Sequence, residues 1–133
     1  MRLLPDTSVW VDLLRRGGRG PESELYRLLE TETILACGPV VAEMLSGASE
    51  EQRDTIWHTV VSLPWADLDA TGWRETGNVA SALRRRGRAA PLTDVMIAVA
   101  SVRARAQLWT TDEHFRSIQD VLPALELYEP RPA

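Results

Sequence analysis

The stretch Leu3-Leu4-Pro5-Asp6-Thr7-Ser8-Val9-Trp10-Val11-Asp12-Leu13-Leu14 changes its periodicity at a single acid. Before Asp6 the chain is a short apolar run, Leu3–Pro5, that suits a buried strand. After it, Val9 with Leu13 and Trp10 with Leu14 recur at helical spacing, which predicts a helix over Ser8–Arg15. A strand that passes through an acid into a helix opens an α/β fold, and the rest of the chain keeps alternating.

A loop is predicted at Gly17-Gly18-Arg19-Gly20-Pro21, then a helix over Glu22–Glu30 with Leu25, Leu28 and Leu29 on one face. Thr33–Cys37 reads as the second strand. Gly38-Pro39 starts a helix, with proline at a favourable first position, that runs to Ser46-Gly47. Glu50–Leu63 is amphipathic through Ile56, Val60 and Leu63 and stops at Pro64, and Ala66–Leu68 is a candidate short strand. Thr71–Arg86 is a long helix ending at Gly87. Leu92–Arg105 is apolar nearly all round in its first half and therefore buried. Leu108–Thr110 is a strand, Glu113–Gln119 a short helix and Leu125–Tyr128 a last strand. Such alternation implies a parallel sheet covered on both faces, in one domain spanning residues 1–133. Ligands of these sheets bind beyond the carboxyl ends of the strands.

A hydrophobic content of 44% and a charged content of 26% describe an ordinary globular protein. No apolar run approaches the roughly 20 residues of a membrane span, and no basic-then-apolar leader with a cleavage site opens the chain. A cytoplasmic location without membrane contact is the expectation. Cys37 stands alone, so it cannot pair within the chain, and with only 2 histidines no zinc site of ordinary spacing is formed. It reads as a small buried residue. All 15 basic residues are arginine, whose guanidinium forks suit phosphate. A net charge of −4 argues against a protein that coats nucleic acid nonspecifically, so any such contact is local.

Asp6, Glu43, Asp94 and Asp112 each sit where an apolar segment gives way to something else, and none has a basic partner beside it. Burying a carboxylate is costly unless it is paired or bound to metal. Asp is also a favoured helix N-cap, which alone would explain Asp6, Asp94 or Asp112. Thr7 or Ser8 and Thr93 are the better-placed caps, however, and Glu43 falls in mid-helix at the border of an apolar stripe. Together the acids suggest a cluster that holds a hard cation, Mg²⁺ or Mn²⁺. Such a centre suits phosphodiester hydrolysis and needs no covalent nucleophile, and no triad motif is present. Arg84, Arg85, Arg86 and Arg88 form the densest basic run, with Arg15, Arg16 and Arg19 a second. Either could be a solvated helix end or a phosphate contact. His114 reads as a surface residue, and Trp10, Trp57, Trp65, Trp73 and Trp109 as core or interface.

At these residues the chain resembles a PIN-domain ribonuclease, specifically a VapC-type toxin of the VapBC toxin–antitoxin systems. Asp6-Thr7-Ser8-Val9-Trp10 is similar to the family's opening segment and Val41-Ala42-Glu43-Met44-Leu45 to its helical glutamate motif. Leu92-Thr93-Asp94-Val95-Met96-Ile97-Ala98 resembles its third acidic motif, and Leu108-Trp109-Thr110-Thr111-Asp112-Glu113-His114-Phe115 its last. The resemblance implies a three-layer α/β/α PIN-like fold with a short central parallel sheet. It also implies a Mg²⁺- or Mn²⁺-dependent endoribonuclease with Asp6, Glu43, Asp94 and Asp112 as catalytic and metal-binding acids. RNA is then the substrate, a VapB-type antitoxin the partner, and a homodimer or toxin–antitoxin hetero-oligomer the assembly. This chain departs from the family in three places. Pro5 replaces an aliphatic strand residue, Arg105-Ala106 replaces a turn that often contains glycine, and His114 stands where some relatives carry the last acid.

A housekeeping PIN nuclease without an antitoxin, and a non-catalytic binding module with a remnant acidic pocket, are the alternatives. Intact acids at every motif count against the second. Helices Ser8–Arg15 and Pro39–Ser46, with Trp10 and Met44, are expected to form the groove that an antitoxin fills.

Overall fold

Leu3 and Leu4, with no exposed surface, lie at the centre of a parallel sheet in the computed structural model, which describes residues 1–15 and 24–130. Strand β1 (Arg2–Pro5) leads to helices α1 (Thr7–Arg15) and α2 (Glu24–Thr31), then β2 (Thr33–Ile34). Helices α3 (Gly38–Gly47), α4 (Glu50–Val61), α5 (Ala70–Arg85) and α6 (Leu92–Arg103) precede β3 (Gln107–Trp109), and α7 (His114–Val121) follows it. The sheet order is β2-β1-β3, with Leu3 opposite Ile34 on one side and Leu4 opposite Leu108 on the other. The expected α/β PIN-like architecture is present. The predicted Gly17–Pro21 loop, Arg16 and Arg19 lie outside the described residues.

Proline limits the sheet. The Met1 and Leu3 carbonyls accept from Thr33 N (3.1 Å) and Leu35 N (2.8 Å), so alternate residues of β1 face β2. Pro5 is next in that row and has no N–H to give. The second strand turns away instead: Ala36 N donates to the Pro64 carbonyl at 2.9 Å, and Ala66 N to the Ala36 carbonyl at 2.7 Å. The strand predicted over Thr33–Cys37 is thereby cut to Thr33–Ile34, and the candidate strand at Ala66–Leu68 becomes a single bridge at Trp65. The strand predicted at Leu125–Tyr128 is likewise one bridge, Leu108 to Leu127. Gln107 and Trp109 face β1, which leaves Leu108 alone to bond Glu126 and Tyr128 on the outer edge, both at 2.8 Å.

The chain leaves β1 toward β2 and leaves β3 toward Leu127, in opposite directions from adjacent strands. That is a topological switch point, where crevices form beyond the strand ends. Parallel crossovers are right-handed as a rule, and running both ways from this point they cover both faces with helices. Helix α6 is the most deeply buried, with Val95, Ile97, Ala98, Val99, Ala100 and Ser101 all in the interior, a burial that extends past the half predicted. Arg103 at its end pairs with Asp69 (3.1 Å) and Glu75 (2.9 Å) of the α5 region, which fixes the two helices against each other. Gly72 permits this approach, since a Cβ there would lie 2.9 Å from a Leu68 methyl and 3.1 Å from Arg103 Nε. No helix among the described residues is long and apolar enough to cross a membrane.

Helices α5 and α6 end alike, but on different residues. After α5 the left-handed position is Gly87 (φ 68°), and after α6 it is Arg105 (φ 55°). At the second end Ala106 N donates to the Ser101 carbonyl and Arg105 N to the Val102 carbonyl, each at 3.0 Å, the paired bonds of a Schellman cap. Arginine there carries a Cβ penalty that glycine avoids. Arg105→Gly is expected to stabilise the fold by about 0.5–1 kcal/mol, read from urea denaturation. A loss of stability would mean that the Arg105 side chain contributes more than its backbone strain removes.

Candidate metal centre

Asp6 follows β1 directly and is 5% exposed. Its Oδ1 accepts from Ser8 Oγ and from Val9 N (3.3 Å), and its Oδ2 accepts from Thr110 Oγ1. A bond to the third helical N–H makes Asp6 itself the cap of α1, a correction to the expectation that Thr7 or Ser8 serves. The reason is placement, because the residue before the first helical one reaches that N–H best. Thr110 Oγ1 in turn accepts from Asp112 N at 2.9 Å, and Ser8 Oγ from Thr111 N at 3.3 Å. Hydroxyls therefore stitch the turn after β1 to the turn after β3, around one buried carboxylate. Asp6→Ala strips this acceptor from three donors and is expected to cost about 2–3 kcal/mol. Thermal melting of the variant checks it, and an unchanged melting temperature would show that water replaces the carboxylate without loss.

Glu43 lies in the middle of α3 on its exposed side, where Thr7 Oγ1 donates to its Oε1 at 3.0 Å. Asp94 is in the first turn of α6, whose N-cap is Pro91 with no side-chain bond, so Thr93 does not cap it. Burial, then the charges of Asp112 and Glu43, push Asp94 up to about 6, with a smaller contribution from Asp6 and opposition from His114. A helix N-terminus pulls a carboxylate the other way. The upward direction shows that desolvation and neighbouring carboxylates outweigh it.

Asp112 Oδ1 accepts from His114 N at 2.9 Å and lies 3.2 Å from His114 Nδ1, which is itself 3.9 Å from Asp94 Oδ2. Donor atoms of Asp94, Asp112 and His114 all fall within 4.8 Å of one another. The structure thus brings Asp94 and Asp112 together and joins Asp6 to Asp112 through Thr110, while Asp6 and Glu43 lie outside that closest group and Glu43 reaches it only by way of Thr7, next to Asp6. His114 is on the surface, as read from sequence, and its imidazole also borders this group. Its i, i+2 spacing from Asp112 was the available signal, because a turn-forming Asp commonly holds the N–H two residues on. Thr7, Ser8 and Thr110 were also missed; only their motif positions hinted at them.

The arginine run is partly structural. Arg88 pairs with Asp120, Arg86 Nη1 is 3.5 Å from the Asp120 carbonyl, and Arg85 Nη1 donates to Ser81 Oγ at 2.8 Å. Two of these tie the end of α5 to α7. Of the tryptophans, Trp10 and Trp109 are core, Trp65 is partly buried, and Trp57 and Trp73 are exposed. Trp10 is 3% exposed because α1 turns it into the core, which corrects its expected place in a groove, whereas Met44, 4% exposed, still presents an edge between α1 and α3. Between α1, α3 and α4 a recess of about 210 Å³ remains, lined by Val11, Met44, Gln52 and Ile56. A larger groove of about 660 Å³ opens on the other side, with Pro39, Leu68, Trp73 and Met96 as walls and Glu43 and Asp67 among its acids. Cys37 is fully buried, and burial pushes its thiol up to about 12, so it is no nucleophile.

The switch-point crevice and its acids define a PIN-domain protein, and the PIN domain family matches residues 3–121. Ribonuclease VapC11 of Mycobacterium tuberculosis and a VapC ribonuclease of Mycobacterium bovis are each 33% identical over 118 residues, 85% of this chain and 88% of theirs. Among solved structures, VapBC2 from Rickettsia felis bound to a promoter DNA fragment has a TM-score of 0.76 at 23% identity, covering 96% of this chain and 98% of that one. VapBC-1 from nontypeable Haemophilus influenzae has a TM-score of 0.76 at 20% identity, covering 97% and 98%. The chain belongs to the PIN-domain family and, within it, to the VapC ribonucleases.

Proposed function

We propose that this chain is a divalent-cation-dependent endoribonuclease, the toxin of a toxin–antitoxin pair, with Asp6, Glu43, Asp94 and Asp112 as its catalytic and metal-binding carboxylates. The observation that supports the reading is that donor atoms of Asp94 and Asp112, from separate segments, lie within 4.8 Å of each other, while Thr110 bonds both Asp6 and the Asp112 amide and Thr7, next to Asp6, bonds Glu43. Carboxylate oxygens with one imidazole nearby fit Mg²⁺ or Mn²⁺. When bound, such a cation neutralises charge on the scissile phosphate and lowers the pKa of an attacking water. The chain's own residues supply position. Ser8, Val9 and Thr110 lock the Asp6 rotamer, and Thr7 restrains Glu43.

Induced expression of the wild type is expected to arrest growth and to create discrete new RNA 5′ ends, both absent with Glu43→Gln. Arrest without new 5′ ends would overturn the ribonuclease reading.

The partner in this reading is a VapB-type antitoxin and the location the cytoplasm; solved VapBC structures share the fold. An arginine or lysine of that partner placed among the carboxylates would replace the cation's charge. Truncating it is expected to weaken the complex by about 2–5 kcal/mol, measured by calorimetry. Co-expression with the adjacent upstream gene should restore growth, and the two products should co-purify. Neither rescue nor complex would favour the housekeeping nuclease.

A further inference from the structure

His114 sits against two of the acids. Its Nδ1 is 3.2 Å from Asp112 Oδ1 and 3.9 Å from Asp94 Oδ2. Two cis donors on an ion with bonds of about 2.2 Å sit about 3.1 Å apart, and trans donors about 4.4 Å, so the Asp112 separation suits a cis pair, and the Asp94 separation lies between the two and needs a shift of less than about 1 Å to become cis. The approach is fixed by the chain, because His114 N donates to Asp112 Oδ1 at 2.9 Å as α7 begins. The imidazole is otherwise 62% exposed, so the two carboxylates are not gathering it into a core.

We propose that His114 supplies a nitrogen ligand to the cation held by Asp94 and Asp112, and so tilts this centre toward Mn²⁺ over Mg²⁺. This rests on the reading of the acids as a cation centre. Mg²⁺ binds oxygen donors and seldom gains from nitrogen, whereas imidazole suits the first-row transition metals. Binding through Nδ1 leaves Nε2 as the protonated nitrogen. A residue that merely held Asp112 by a hydrogen bond would instead strengthen both cations alike. His58, the other histidine, is on α4 with its Nδ1 2.6 Å from the Asp54 carbonyl, so variants at position 114 isolate the contribution.

The test uses the full chain, freed of any affinity tag and of chelator, with Mn²⁺ and Mg²⁺ as the probes. Calorimetry gives both dissociation constants, and pulsed electron paramagnetic resonance of the Mn²⁺-loaded protein detects nitrogen on the ion. The wild type should show ¹⁴N modulation that His114→Gln removes. The same substitution should weaken Mn²⁺ about tenfold and Mg²⁺ by less than about threefold. His114→Asp, which restores a ligand as oxygen, should keep Mn²⁺ affinity within about threefold of wild type while raising that for Mg²⁺. Mn²⁺ bound without ¹⁴N modulation, or equal losses for both cations in His114→Gln, would overturn the assignment of His114 alone. Failure of the wild type to bind either cation would overturn the cation centre itself and this inference with it.

Discussion

Asp94→Asn is expected to lower RNA cleavage by about 10³-fold or more, since a metal contributes several kcal/mol of charge stabilisation in the transition state. Growth arrest should disappear with it. The fold should survive, because Asp94 caps no helix and its charge is opposed by its surroundings. Its pKa is raised from 3.8 to about 6 in the folded protein, so the native state holds a proton that the unfolded chain has released. The stabilisation is complete below about pH 4 and is lost as pH rises through about 6, at a cost of up to about 3 kcal/mol. In metal-free protein at pH 7, Asp94→Asn should therefore melt at or above the wild-type temperature, and the advantage should vanish near pH 4. Asp6 should behave otherwise, because three donors depend on its carboxylate. A wild-type cleavage rate in Asp94→Asn would remove this residue from the centre.

Chelation should be nearly as decisive. EDTA is expected to abolish cleavage, and added Mg²⁺ or Mn²⁺ to restore it. Cation binding should also stabilise the protein by about 2.7 kcal/mol at a concentration one hundred times the dissociation constant, since only the folded chain assembles the acids. Full activity in EDTA would leave no place for the mechanism proposed here.

Much of this was legible in the residues. The change of period at Asp6 located β1 and α1, the apolar run after Asp94 marked the buried α6, and glycine at position 87 marked the end of α5. What failed did so for long-range reasons. The second strand stops short because Pro5, on a different segment, lacks a donor for it. The last predicted strand shrinks to a bridge because a three-residue β3 turns only Leu108 toward the edge. Trp10 read as a groove residue because a helical stripe does not say which neighbour covers it. The acids were found at their segment ends, but the hydroxyls of Ser8 and Thr110 that hold Asp6 become partners only when β1 and β3 lie side by side. His114 was passed over for the same reason, since its proximity to Asp94 spans two helices.

Acids from separate segments are expected to share one cation at the switch point, and anomalous diffraction from a crystal of the protein soaked in Mn²⁺ would locate it. A peak is predicted within bonding distance of Asp94 and Asp112, beside Asp6, and it should vanish in Asp94→Asn. A wild-type crystal with no peak there, from protein that cleaves RNA, would contradict the account.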